Sequence, residues 1–303
     1  MSTAAVLIRV PATTANLGPG FDCLALALDL WNECTIRAVE DGFHVEVSGE
    51  GAGILPADEH NLIVQAFFET CRRAGKAAPD GLDIRCQNRI PLGSGLGSSA
   101  AAVLTGVMAA NAFLGEPFVS HDILRIAAEL EGHADNAAAA LYGGLVVNFI
   151  DARGDLKVHK LSCAVNQVVV VLPDFQLSTR TARQVLPDKI SLQDGVFNLG
   201  HAVLTVEALR SGNYELLLQA MEDRLHQPYR LGLIPGAEAA IQAASNLGAA
   251  AALSGAGPGV VAFPRGNPGP VISAMQSAFM SVGLASRIWT LKTTYTGLFW
   301  QYE

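Results

Sequence analysis

Residues 91–101 read Pro91-Leu92-Gly93-Ser94-Gly95-Leu96-Gly97-Ser98-Ser99-Ala100-Ala101. Glycine at 93, 95 and 97 removes the Cβ atoms that would keep backbone N–H groups from converging. An alanine-rich stretch with helical character follows at once and is stopped by Gly115 and Pro117. The unpaired N–H groups of a first helical turn, added to the helix dipole, favour an anion. The segment is therefore expected to cradle a phosphate chain, with the Ser98 or Ser99 hydroxyl capping the helix or touching a metal ion. It is not a P-loop, because no Lys follows the last glycine. It is not the dinucleotide fingerprint either, because Ser98 stands where the third glycine would be. The structural alternative is a tight strand-to-helix turn with a serine cap.

Working outward, Val6–Val10 reads as a strand followed by a turn-rich loop, Pro11–Gly20. Thr35–Val39 and Phe43–Ser48 flank Asp41-Gly42, a hairpin signal. Apolar residues at helical spacing run from Asn61 to Ala74, a strand is expected at Leu82–Arg85, and a second helix follows the glycine loop from Ser120 to Gly132. Beyond it, Val168–Leu172 is a β-branched run, and a short helix capped by Ser178 or Thr179 stops at Pro187. Helical periodicity returns at Phe197–Leu209, Tyr214–Leu225 and Ala237–Leu247. The loop Ser254–Gly259 lies between two strand-like runs, Ala249–Leu253 and Val260–Phe263. The polar stretch Asp151–Lys160 is the softest boundary, which divides the chain into 1–155 and 156–303.

The 303 residues, half of them hydrophobic and 16% charged, can bury a large core, which excludes global disorder. A net charge of −8 argues against a nucleic-acid partner, although a few focused arginines or backbone N–H groups can still hold a small anion. The cysteines (Cys23, Cys34, Cys71, Cys86, Cys163) are scattered and never spaced CxxC, so neither a zinc site nor a disulfide framework follows. They read as the reduced thiols of a cytoplasmic protein. Met1–Ile8 has no basic n-region, and no run reaches the length of a membrane span, so no membrane partner is expected.

Two glutamates close the Ser120–Gly132 segment, and helical geometry chooses between them. At about 100° per residue, Leu124, Ala127, Ala128 and Glu131 share one face, widened by Ile123, Ile126 and Leu130. Asp122, Arg125 and Glu129 occupy the opposite arc. Glu129 is then a surface residue, while Glu131 points inward, where a carboxylate is costly unless paired or metal-bound.

Pro91–Ala101 resembles the second motif of the kinase superfamily that contains galactokinase, homoserine kinase, mevalonate kinase and phosphomevalonate kinase. Pro11–Asp22 resembles its first motif and Ser254–Gly259 its third glycine loop, in the expected order and across nearly the whole chain. Within the superfamily, PATTANLGPGFD (11–22), EGHADN (131–136) and HQPYRLGLIPG (226–236) are most similar to the homoserine kinase family. The resemblance implies an α+β, two-lobed fold. Its N-terminal, ATP-binding lobe (1–155) would be of the ribosomal protein S5 domain 2-like type, and its ferredoxin-like C-terminal lobe (156–303) would complete the substrate site. The implied reaction moves the γ-phosphoryl group of ATP to the side-chain hydroxyl of L-homoserine, yielding O-phospho-L-homoserine for threonine biosynthesis, with ATP and Mg2+ as cofactors.

The residue roles implied by the resemblance follow the motifs. Pro91, Leu92, Gly93, Ser94, Gly95, Leu96, Gly97, Ser98, Ser99, Ala100 and Ala101 would hold the nucleotide, with Asn61 in the adenine region as either a contact or an ordinary helix cap. Ser99 and Glu131 would hold magnesium. Asn16 would lie near the substrate hydroxyl, and Asp22 would receive its ammonium. His133, Asp135 and Asn136 would line the amino-acid site, and Arg183 and Arg230 would fork onto its carboxylate. Thr179 would sit beside the transferring phosphate, and Gly255 would let backbone close over the substrate. The chain departs from the family pattern at Ala134, Ala137 and Ala139, where Pro, Val and Pro are common; these changes touch packing rather than polar chemistry. The rival readings are a mevalonate-type or sugar kinase of the same superfamily, or a non-catalytic nucleotide sensor. The sequence leaves a homodimer open.

Overall fold

The computed structural model describes residues 5–303; residues 1–4, part of the stretch read as free of a secretory leader, lie outside the described residues. The first half contains β1 (Val6–Ala15), β2 (Leu24–Val39), β3 (Gly42–Gly49), α1 (Leu62–Arg73), β4 (Gly81–Asn88) and α2 (Ser98–Phe113). After these come α3 (Ser120–Glu131), α4 (Asp135–Tyr142), β5 (Leu145–Ile150), β6 (Leu156–Leu161) and β7 (Gln167–Pro173). The second half holds α5 (Thr179–Gln184), α6 (Leu192–Ser211), α7 (Tyr214–Ala220) and α8 (Gln227–Arg230), which runs into a 3-10 turn at Leu231–Leu233. The chain ends with α9 (Ala237–Asn246), β8 (Ala250–Leu253), β9 (Val260–Phe263), α10 (Gly269–Met280), β10 (Ser286–Lys292) and β11 (Phe299–Tyr302).

Two sheets organise these elements. One runs β11-β1-β2-β4-β3, with β5 also pairing β2 and β6 pairing β5; the other runs β10-β7-β9-β8. Every pairing is antiparallel except β3 with β4. Helix α2 forms the heart of the first lobe. It has no polar face, and thirteen of its sixteen residues are buried, as expected of a helix covered on all sides. In the second lobe, α9 and α10 cover one face of the sheet through Ala237, Ala240, Val271, Met275 and Phe279, packed on Val169, Val171 and Val260. The opposite face, Val168, Val170, Val261 and Phe263, joins the first lobe's core. The fold is α+β with two lobes, as expected. Among the described residues, no helix is long and apolar enough to cross a membrane.

Four local expectations need correction. The hairpin across Asp41-Gly42 does not form: β4 lies between β2 and β3, antiparallel to the first and parallel to the second. The turn is real, but it steps over the end of β4, and a turn signal carries no information about which strand arrives between its arms. Pro11–Ala15 continues β1 instead of opening a loop, with a register shift between Pro11 and Ala12 where proline has no N–H to donate. Neither serine caps α2, since its N-cap is Gly97 in the left-handed region with no side-chain bond. The division at 155/156 falls inside the β5–β6 hairpin, and β11 returns to β1, so the first and last strands of the described residues belong to the same sheet.

A side chain at Gly81 has no room under the crossing turn: a Cβ there would lie 2.2 Å from the Gly42 carbonyl oxygen and 2.7 Å from the Asp41 carbonyl carbon. Gly81→Ala is expected to destabilise the fold by about 1–3 kcal/mol in chemical denaturation. Wild-type stability in that variant would show that the turn yields freely.

Candidate active site

Three glycine-bearing loops meet between the lobes. The loop at 91–97 has Gly93, Gly95 and Gly97 all in the left-handed region, at φ +59°, +78° and +73°. A Cβ at Gly95 would stand 2.0 Å from the Ser254 carbonyl oxygen, and one at Gly97 2.2 Å from the Thr13 hydroxyl, while Gly93 faces open space. Two of the three glycines are thus demanded by the protein's own packing, and only Gly93 is free of that demand. The Ser254 hydroxyl donates to the Gly95 carbonyl (2.7 Å), the Asn16 side-chain amide donates to the Gly255 carbonyl (2.7 Å), and the Gly255 N–H donates to Ala15 (3.1 Å). Asn16 and Asp22 hold positive φ, 70° and 55°, an unusual conformation for non-glycine residues that this stitched junction maintains.

These loops enclose a polar cleft of about 100 Å3. Into it converge Asn16 and Asp22 from the first loop, and Gly93, Ser94, Gly95, Gly97, Ser98 and Ser99 from the cradle. Glu131, His133, Asp135 and Asn136 enter from the α3–α4 corner. Thr179, Arg183, Arg230 and Gly255 come from the second lobe, far along the chain from the first loop that they face across the cleft. Pro91 and Leu92 line a neighbouring groove between the lobes. Leu96, Ala100 and Ala101 point into the core and line none of these clefts.

A second, less polar cleft of about 320 Å3 shares Gly93, Ser98 and Ser99 with the first and is walled by Val47, Leu55, Pro56, Leu62, Leu92 and Ala102. Asn61 lies here, but its side chain is committed: the oxygen accepts from the Ile63 N–H (3.0 Å) and the amide donates to Pro56 (2.8 Å). It is the N-cap of α1.

The helical phasing of α3 separates the two glutamates. Glu129 lies outward and pairs with Arg73 of α1 rather than with Arg125. Glu131 accepts a 2.5 Å hydrogen bond from the Ser99 hydroxyl, in the first turn of α2. Burial raises the Glu131 pKa, and the Ser99 bond and the His133 charge only partly oppose that shift. Hydroxyl and carboxylate oxygens are the hard donors that Mg2+ takes, so this pair beside the cradle fits the ion.

At the other end of the cleft the charges are mixed. Arg183 donates to both Asp22 oxygens, at 2.8 and 3.0 Å, so the two groups clasp each other. Arg230 is 1% exposed; burial and the nearby Arg183 charge pull its pKa down to about 10. His133 Nδ1 is 2.9 Å from Asp135 Oδ1; burial lowers the imidazole pKa, but the Asp135 bond and charge outweigh it, and the net shift is upward.

Sequence reading missed the support behind Arg230. The fully buried His226 hydrogen-bonds the Gly18 carbonyl through Nε2 (2.8 Å). Nε2 must therefore carry the proton, leaving Nδ1 to accept from Arg230 at 3.2 Å. The His226 ring stacks on Phe21 at 5.3 Å. Asp223 accepts from the backbone N–H groups of Leu225, His226 and Gln227 and from the Asn198 amide, and Asn198 also donates to Pro19. His226 precedes Arg230 by one helical turn, a spacing visible in HQPYR but uninformative without knowing that both residues are buried.

Family models match residues 61–144, as the GHMP kinases N terminal domain, and 205–281, as the GHMP kinases C terminal domain. The chain is 43% identical over 284 residues to a homoserine kinase of Carboxydothermus hydrogenoformans, covering 93% of this chain and 92% of that one. It is 41% identical to a homoserine kinase of Synechococcus sp., covering 98% and 96% of the two chains. The chain belongs to the homoserine kinase family of the GHMP kinases. The crystal structure of homoserine kinase from Cytophaga hutchinsonii superposes with a TM-score of 0.84 at 30% identity, over 99% of this chain and 98% of that one. A phosphomevalonate kinase of Streptococcus pneumoniae, 15% identical, shares the fold at a TM-score of 0.69.

Two imidazoles of this family member, the fully buried His226 and the partly buried His133, carry opposite pH signatures. Burial lowers the His226 pKa, with Asp223 opposing and Arg230 adding to the fall, so its stabilisation is complete above pH 6.5 and is lost as pH drops below that value. His133 is shifted up, so its contribution is complete below pH 6.5 and is lost as pH rises through its folded pKa. Between pH 5 and 6.5, His226→Asn should flatten the acid loss of unfolding free energy, whereas His133→Asn should leave that slope unchanged and instead remove a loss of stability that sets in above pH 6.5. Parallel pH slopes for the two variants in urea melts would contradict this assignment.

Proposed function

We propose that the protein transfers the γ-phosphoryl group of ATP to the side-chain hydroxyl of L-homoserine, in the cytoplasm, forming O-phospho-L-homoserine for threonine biosynthesis. The observation that carries this reading is the charge pattern at the end of the cleft away from Glu131. Two guanidinium groups and two carboxylates (Arg183, Arg230, Asp22, Asp135) face one small volume that opens onto the glycine cradle. A neutral sugar has no use for paired opposite charges, whereas a free amino acid carries both.

The clasped Arg183–Asp22 pair can be read as the two halves of that recognition satisfied by each other. A bound amino acid would exchange the pair for two new ones, its ammonium on Asp22 and its carboxylate on Arg183 and Arg230. The exchange replaces one ion pair by two and leaves no buried charge unpaired. Arg230 is held from behind by the Ala182 carbonyl (3.0 Å) and His226, so it offers its remaining face in a fixed orientation.

ATP would lie with its base in the cleft beside α1 and its phosphates across Gly93 and the first turn of α2. Mg2+, held by Ser99 and Glu131, would supply charge neutralisation on those phosphates. Asn16, fixed by its bond to Gly255, would orient the hydroxyl, and Thr179 would face the transferred group from the second lobe. Rate acceleration in such a site comes from alignment and charge stabilisation. Asp22 is engaged in an ion pair and is used here for binding rather than as a general base.

An ADP-release assay across homoserine, mevalonate and galactose tests the substrate class. Turnover with homoserine alone is expected, and turnover with mevalonate or galactose in its place, or with none of the three, would overturn the proposal. In the same assay Glu131→Gln should lower kcat by about a hundredfold or more, while Glu129→Gln should change it less than about threefold. Equal losses would remove the metal role from Glu131.

A further inference from the structure

Strands β2 and β4 pair antiparallel, and Cys34 stands directly opposite Cys86. Side chains on one face of a strand recur every second residue, so both thiols share the inward face with the paired Ile36 and Ile84. One step beyond those isoleucines the apolar core gives way to the cleft beside α1, and Cys34 and Cys86 line its wall. Their Sγ atoms are 2.8 Å apart. The positions are 52 residues apart in the chain, so only the strand register brings them together. Neither thiol is free to drift. β2 is held between β1 and β4, β4 between β2 and β3, and the Ser48 hydroxyl donates to the Cys86 carbonyl at 3.0 Å.

Two buried thiols can serve merely as small apolar filler, and Cys71 and Cys163 fit that role: both are buried, and neither lines any of the clefts. Cys34 and Cys86 differ in two ways. Residues directly opposite in an antiparallel pair have Cα atoms about 4.5 or 5.5 Å apart, and both values lie inside the range that a disulfide spans. Bringing the sulfurs to bonding distance, about 2.05 Å, then needs side-chain rotation and no backbone movement. The pair also borders an open cleft of about 320 Å3, so a water-sized oxidant reaches thiols that are only 3% and 5% exposed.

We propose that Cys34 and Cys86 are an oxidative modification site, where a peroxide closes a reversible disulfide in the wall of the cleft and bound nucleotide shields it. The shielding rests on the placement of the ATP base in that cleft; the disulfide does not. One sulfur gives up its proton and attacks a peroxide oxygen, and the O–O bond breaks, leaving a sulfenic acid and water. The other sulfur then attacks the sulfenic sulfur, the S–O bond breaks, and a second water leaves. The two thiols lose two electrons in all, and one hydrogen peroxide molecule gains them. Because the second thiol is already in contact, it traps the sulfenic acid before further oxidation. Burial pushes the Cys34 thiol well up, and its hydrogen bond to Cys86 adds to the shift, so thiolate is scarce. The site therefore stays reduced at rest and answers to sustained oxidant, as transient disulfides of reducing compartments do.

Thiol counting and peptide mapping on the full chain test the site. Cys23→Ser removes the exposed thiol and leaves four, so no buried position has to be altered. Treated with about 1 mM hydrogen peroxide for some hours, this protein should lose two thiols and about 2 Da, yield a Cys34–Cys86 linked peptide, and recover both thiols with dithiothreitol. Adding Cys86→Ser should abolish the linked peptide. Loss of thiols without that peptide, as sulfinic acid or through other pairings, or four thiols intact, would overturn the proposal. Saturating Mg·ATP should slow the linkage at least tenfold. A disulfide that forms equally fast with and without ATP would overturn the shielding and move the base out of this cleft, while the disulfide site itself would stand.

Discussion

The close approach of two backbones, Gly95 against Ser254, holds the site together. No side chain fits between them, and the Ser254 hydroxyl closes the contact by donating to the Gly95 carbonyl while it hydrogen-bonds the Thr14 hydroxyl. Ser254 belongs to the loop between β8 and β9 of the second lobe, and Thr14 to β1 of the first. The contact thus registers the cradle, the first strand and the second lobe in a single place. From it follow the bond of Asn16 to Gly255 and the reach of Arg230 toward the same carbonyl (3.3 Å). Were the two backbones held apart by even a methyl group, the groups that face each other across the cleft would lose their common frame.

Around this junction the cleft is electrically divided. Near the cradle, the Ser99–Glu131 pair offers oxygen donors at the start of α2, the place where a helix favours anions and the cations that accompany them. At the far end, Arg183 and Asp22 neutralise each other, while Arg230 is buried among Asp22, Asp135 and Asp223 with His226 behind it. Burying a guanidinium is tolerable because three of its five donors are used, by Ala182, His226 and Gly255. The cost of those buried charges is offset by their fixed geometry.

Much of this was legible in the chain. Alternating glycines before an alanine-rich segment announced the cradle, and a phase of about 100° per residue told Glu131 from Glu129. The failures were of one kind. The Asp41-Gly42 turn looked like a hairpin because the strand that separates its arms lies some forty residues downstream. Ser98 and Ser99 looked like caps because nothing local shows that Glu131 takes the Ser99 hydroxyl. His226 passed unnoticed because a histidine four residues before an arginine is ordinary until both prove to be buried.

The sequence by itself determined which segments are helix or strand in most of the chain, which loop bends through left-handed glycines, and which carboxylate turns inward, because backbone freedom and helical period are local properties. Tertiary structure alone decided that Gly95 and Gly97 answer to Ser254 and Thr13, that Arg183 rests on Asp22, and that β11 closes the first sheet. Those outcomes depend on which distant surfaces meet, and that is settled by burial across the whole molecule rather than by any neighbouring residue.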